Sequence, residues 1–143
     1  MSHETATTWL KAASWALIIV GVYFALALYA PLNAATLLFL DLAVMPFDGT
    51  QSLALTETRL LTAIVGGLTV GLGAGTLLIA KHIYASDPAL GGKLLSWMFL
   101  TWFVVDCAGS VLAGAWFNVA LNTVILASVM TPLMLRRTAA IAA

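Results

Sequence analysis

Asp106 stands alone in an otherwise uncharged stretch that runs from Leu94 to Trp116. A carboxylate at the centre of a membrane helix costs about 2.5–3.5 kcal/mol on insertion scales, so such a residue marks a functional site by default. Three residues of other segments have the chemistry to answer it. Arg59 carries a guanidinium that pairs with a carboxylate. Asn118 and Asn122 are four residues apart, which puts two amides on one helix face. Together with Glu57, these residues read as a polar pocket open to the outer side, or as an ion pair that locks helices together. Asp41 is a further candidate for the pocket. Phe99, Trp102 and Phe103 share the Asp106 face by three- and four-residue spacing. An aromatic wall beside a carboxylate suits a cation, and equally suits core or lipid-facing bulk.

Other chemistries find little support. The single cysteine, Cys107, excludes an internal disulfide and a Cys-x-x-Cys pair, and its helical position points away from Asp106 as a small apolar filler. The two histidines, His3 and His82, lie outside the deep apolar runs. No bis-histidine haem, zinc site or other metal or cofactor is therefore expected. No histidine stands near Cys107 or an outer-side serine, so a nucleophile–base pair is absent and the expectation is a non-enzymatic protein. A lipid-modifying enzyme that uses Asp106 alone is the remaining enzymatic alternative. Formal net charge is zero, which leaves no electrostatic footprint for nucleic acid.

The elements that position these residues follow from composition. Of 143 residues, 62% are hydrophobic and 8% charged, with a mean hydropathy of +1.04. Soluble domains carry about 25% charged residues, so this chain cannot coat a water-facing surface. Its length allows one domain over residues 1–143. Four apolar runs reach the roughly 20 residues needed to cross about 30 Å of hydrocarbon: about 12–30, 60–80, 94–113 and 115–135. Backbone groups in lipid must be satisfied within the segment, so an all-α four-helix membrane bundle is expected. The first run exceeds the roughly 7–15 apolar residues of a signal peptide, and Pro31 disfavours cleavage after Ala30.

Charge sets the direction. Lys11, Lys81, Lys93, Arg136 and Arg137 fall on the side of both termini, and only Arg59 on the other. Positive-inside bias therefore places both termini in the cytoplasm, with Trp9 and Tyr29 as aromatic belts about 30 Å apart on the first helix. Asp106 then lies about 12 residues, or about 18 Å, beyond the start of the third span, in the outer half where Arg59 can reach it. The outer connection, 31–56, contains an apolar stretch, Asn33 to Pro46, too short to span. It predicts an interfacial or re-entrant helix capped by Asn33 and ended by Pro46, acting as a lid or as a connector on the lipid surface. Thr56 is the expected N-cap of the second span, with Glu57 in its first turn. His82 reads as an interfacial residue, and Pro132 predicts a kink that frees the Ser128 carbonyl.

The second span is rich in glycine. Ala63, Gly67, Gly71 and Gly75 recur every four residues, a spacing that lets helix backbones approach closely, within the chain or between copies. The run Glu57-Thr-Arg59 leading into Ile64-Val-Gly66-Gly67-Leu-Thr-Val-Gly71-Leu-Gly73 resembles the DoxX-like group of small bacterial membrane proteins. That resemblance covers about 20 residues and implies a four-helix bundle in the cytoplasmic (inner) membrane, with no single agreed activity. The function expected first is an accessory or structural subunit, a homo-oligomer or one packed against partner membrane subunits in the bilayer. The alternative is a small oligomeric transporter or small-molecule binding protein built on Asp106 and Arg59. No two-halves repeat of the transporter kind is present, since spans one and three do not look alike.

Overall fold

The computed structural model describes the backbone of residues 1–141 and the side chains through Arg136. Arg137, counted above among the cations of the terminal end, lies outside the described side chains. Five helices follow one another: α1 (His3–Leu26), α2 (Ala34–Ala43), α3 (Thr56–Leu78), α4 (Pro88–Leu112) and α5 (Trp116–Ile141). A short 3₁₀ turn (Ala30–Leu32) precedes α2, and a π-helical segment (Ile79–Tyr84) extends α3. All but α2 are long and apolar enough to cross a membrane. This is the arrangement compatible with a multi-pass membrane protein.

Local chemistry shifts the helix ends away from the edges of the apolar runs. α1 begins before Ala12 because the Ser2 hydroxyl accepts from Thr5 N at 3.1 Å, with Glu4 in the first turn. It stops at Leu26, so Tyr29 precedes the 3₁₀ turn rather than ending α1. α4 begins at Pro88, where Asp87 Oδ1 accepts from Ala89 N at 3.1 Å and Leu90 N at 2.9 Å, ahead of the expected start at Leu94. Thr56 is the first residue of α3, not its cap; Leu55 holds the cap position with no side-chain bond. Asn33 flanks α2 but its side chain caps nothing. α5 continues through Pro132 as one helix.

Helices α1 and α3 form the most extensive contact, and α4 pairs with α5. The two pairs meet at the end that holds the termini. There Ala6, Leu10, Tyr84, Leu95, Phe99 and Val129 are buried together. His3 Nε2 donates to the Ala85 carbonyl at 3.0 Å and its ring lies 5.3 Å from that of Tyr84. Gly91 makes this possible: a Cβ there would stand 2.5 Å from Tyr84 Cα. At the opposite end, α2 bridges the pairs. Phe39 meets Phe24 of α1 edge-on at 5.4 Å and Phe117 of α5 at 6.3 Å.

The close contact of α1 with α3 uses a different glycine spacing from the one the sequence advertises. A Cβ on Gly66 would stand 2.6 Å from Ala25 N and 2.7 Å from Gly21 O; one on Gly21 would meet Gly66 O at 2.7 Å. A Cβ on Gly73 would meet Ser14 O at 2.9 Å. Ser14 and Gly21 are seven residues apart, as are Gly66 and Gly73. A seven-residue spacing keeps small residues on one face along a long contact. By contrast, a Cβ on Gly67, Gly71 or Gly75 meets nothing within 4 Å. The four-residue series therefore does not form the packing face within the chain.

Candidate functional site

The α4–α5 connection builds the site. Gly114 adopts φ +73°, a left-handed conformation that favours glycine. Gly114 N donates to Val111 O at 3.0 Å and Ala115 N to Ser110 O at 2.8 Å, which closes α4 with a Schellman motif and turns the chain straight back. In such a tight antiparallel hairpin, residues equidistant from the turn face each other. Ser110 and Asn118 each lie four residues from Gly114, and Asp106 and Asn122 each lie eight.

Asp106 Oδ1 accordingly accepts from Asn118 Nδ2 at 2.9 Å, from Asn122 Nδ2 at 2.8 Å and from Ser110 Oγ at 3.3 Å. Asn118 Nδ2 also reaches Ser110 Oγ at 2.8 Å, and that hydroxyl donates to the Asp106 carbonyl at 2.8 Å. Ser110 is thus a member the sequence reading missed; its mirror position about Gly114 is the signal that finds it. Cys107 is not turned away from the network: Asn122 Nδ2 reaches its Sγ at 3.7 Å. Among the described residues, the hydrogen bonds of the Asp106 carboxylate all fall on Oδ1 and none reaches Oδ2.

Arg59 and Glu57 are both exposed at the start of α3. Among the described residues no ion pair joins Arg59 to Asp106, and neither Arg59 nor Glu57 borders the space beside that carboxylate. Asp41 is buried in a different role. Its Oδ1 accepts from Asp48 N at 3.3 Å and Gly49 N at 2.8 Å, holding the turn after α2. In that turn the Thr50 hydroxyl, 2.7 Å from Asp48 Oδ1, holds the Asp48 carboxyl below the usual carboxylate range, helped by Thr50 N at 3.1 Å.

Asp106 borders a cleft of about 1460 Å³ between the two helix pairs. The cleft exists because α3 makes no extensive contact with α4 or α5. Ala12, Ala13 and Ala16 of α1 line one wall, and Met98, Trp102 and Ile125 the other. Trp102 lies one turn from Asp106 and packs edge-on against buried Phe99 at 6.0 Å; Phe103 does not border the space. Leu68 of α3 and Val124 of α5, 70% and 65% exposed, also line the cleft. Gly67 and Gly71 also border the space, which is why nothing stands over them. Among the described residues, the charged side chains along the lining are two carboxylates, Glu4 and Asp106, with no lysine, arginine or histidine. Among the described residues no group of three or more His, Cys, Asp or Glu is arranged to hold a metal ion. No family model, curated protein or solved structure matches this chain.

Proposed function

We propose that this is a multi-pass membrane protein that binds a small molecule in the cleft beside Asp106. One observation carries the reading: a carboxylate with a single oxygen saturated by amides and a hydroxyl borders a large, mostly apolar space instead of a filled core. A group of this cost inside an apolar bundle is retained where it meets a ligand or a path. A few converging polar groups in an apolar pocket are the general form of a small-molecule site. The DoxX-like likeness of Glu57-Thr-Arg59 and the following glycines supports the four-helix membrane setting, and the lysine and arginine distribution supports cytoplasmic termini in a bacterial inner membrane. In that setting α2 lies at the outer interface as a lid over the cleft.

A second reading is favoured by Gly67 and Gly71. The open space above them accepts a helix backbone at close range, so an accessory subunit that receives a partner helix, or a second copy, fits the same cleft.

Filling the cleft separates the two. Ala16→Phe places a ring in the apolar wall without touching the Asp106 network. In detergent, a thermal-shift screen of amphiphiles and quinones should find compounds that raise the parent midpoint and leave Ala16→Phe unmoved. If no compound distinguishes the two proteins, the ligand reading is wrong. Co-purification with a partner helix protein, lost in Ala16→Phe, would then favour the accessory reading.

A further inference from the structure

The cleft has a chemical preference of its own. Among the described residues its charged lining is acidic, with Asp106 toward one end and Glu4 toward the other. An anion would meet repulsion from both in a low-dielectric setting. A neutral occupant would leave the Asp106 carboxylate without a counter-charge, which is costly away from water. A cation answers it. Asp106 Oδ2 accepts no hydrogen bond from the described residues, and the same is true of the carbonyl oxygens of Asn118 and Asn122, whose Nδ2 groups are spent on Asp106. These three acceptors belong to side chains already joined by hydrogen bonds at Asp106 Oδ1. A primary ammonium brings three donors in addition to its charge, whereas a quaternary ammonium brings none. The Trp102 ring, one turn away on the same wall, adds a face suited to a cation.

Shape supplies the rest of the ligand. On α1 the lining extends from Glu4 to Phe24, about 30 Å at 1.5 Å per residue. The middle of that strip is Ala12, Ala13 and Ala16, smooth and apolar. A narrow strip of small residues suits one extended hydrocarbon chain. Leu68 and Val124, apolar lining residues exposed at mid-helix, suit entry of such a chain from surrounding lipid instead of through water.

We propose that the cleft binds a single-chain amphiphile with a primary ammonium head, the head on Asp106 Oδ2 and the Asn118 and Asn122 carbonyls, the chain along the α1 alanines. This rests on the cleft being a ligand site. The test uses purified full-length protein in a non-ionic detergent and four probes of equal chain length: dodecylamine, dodecyltrimethylammonium, dodecanol and dodecyl sulfate. Binding is followed by calorimetry at neutral pH. Dodecylamine should bind the parent at least tenfold more tightly than dodecanol, the difference expected of a charge-assisted hydrogen bond, with dodecyltrimethylammonium in between. Asp106→Asn should abolish that preference while keeping dodecanol binding. Equal binding of dodecylamine and dodecanol to the parent overturns the ammonium head but leaves the cleft as a ligand site. Tighter binding of dodecyl sulfate overturns it likewise. No binding of any probe by the parent overturns both. The comparison among probes is made on the parent protein, so it stands even if the Asp106 variant does not fold.

Discussion

At the residue scale, Asp106 is defined by what surrounds it rather than by its charge alone. Three donors converge on one oxygen, and two of them come from the facing helix. Asp106→Asn retains an acceptor at Oδ1, so the variant should fold with little change in thermal midpoint. Asp106→Leu strands the Asn118 and Asn122 amides and should lower stability by about 1–3 kcal/mol, measured by chemical denaturation in detergent. Arg59→Gln should leave stability within about 0.5 kcal/mol, because Arg59 is exposed and forms no ion pair among the described residues. A large loss on Arg59→Gln would restore the Asp106–Arg59 pair. Asp48 is a separate case in the turn after α2. Its carboxyl is held below the ordinary value, so its contribution to that turn is complete above about pH 4 and disappears as pH falls through the lowered value. Amide exchange at Thr50 should therefore quicken, relative to the rest of the chain, only in acid below that range. Unchanged protection there would show that the Thr50 bonds do not hold the turn.

At the scale of elements, the glycines of α3 divide into two sets with opposite predicted behaviour. Gly66 and Gly73 touch the α1 backbone, so alanine at Gly66 must push the two helices apart, at a cost of about 1–3 kcal/mol. Gly67 and Gly71 face open space, so alanine at Gly67 should be neutral or slightly stabilising through helix propensity. Paired melting measurements of the two alanine variants decide this. If Gly67→Ala proves the more damaging, that face is occupied by another helix in the assembled protein, as the accessory reading requires. Sequence spacing alone singled out the set that does not meet α1. Both four- and seven-residue series of small residues are present, and which one makes contact depends on how the helices cross. The side-chain hydroxyls were equally silent. Ser14, Thr62 and Thr76 are buried but bond the carbonyl four residues back in their own helix, so they satisfy themselves and need no partner across the bundle.

For the molecule as a whole, two helix pairs that meet at the terminal end leave a cleft between them whose α1 lining reaches from Glu4 to Phe24. The buried core near the termini, with Tyr84, Leu95, Phe99 and Val129, acts as a floor, and Phe39 of α2 stands at the far end. If all four long helices cross the membrane, as proposed, both termini emerge on one side. Single cysteines placed at Ser2 and at Ser52 in a Cys107→Ala background should react with an impermeant maleimide from opposite sides of oriented vesicles. Labelling of both from the same side would break the four-span topology.

The apolar runs and their number were determined by the sequence by itself, because four uninterrupted stretches of about 20 apolar residues leave long apolar helices as the one way to satisfy their backbone. So was the pairing of Asn118 with Asn122, since four residues always return to one helix face. Even the facing of Asp106 and Asn122 was latent in their equal distance from Gly114, once that glycine is recognised as the turn. The partner of Asp106 was not. Arg59 stood at a plausible depth, but depth along a helix says nothing of direction around it, and the tertiary fold sends Arg59 outward while the α4–α5 hairpin brings the amides in. The cleft is likewise a tertiary decision. It arises from α3 choosing α1 over α4 and α5, a choice made by backbone contact at Gly21, Gly66 and Gly73 that no single residue pattern announces.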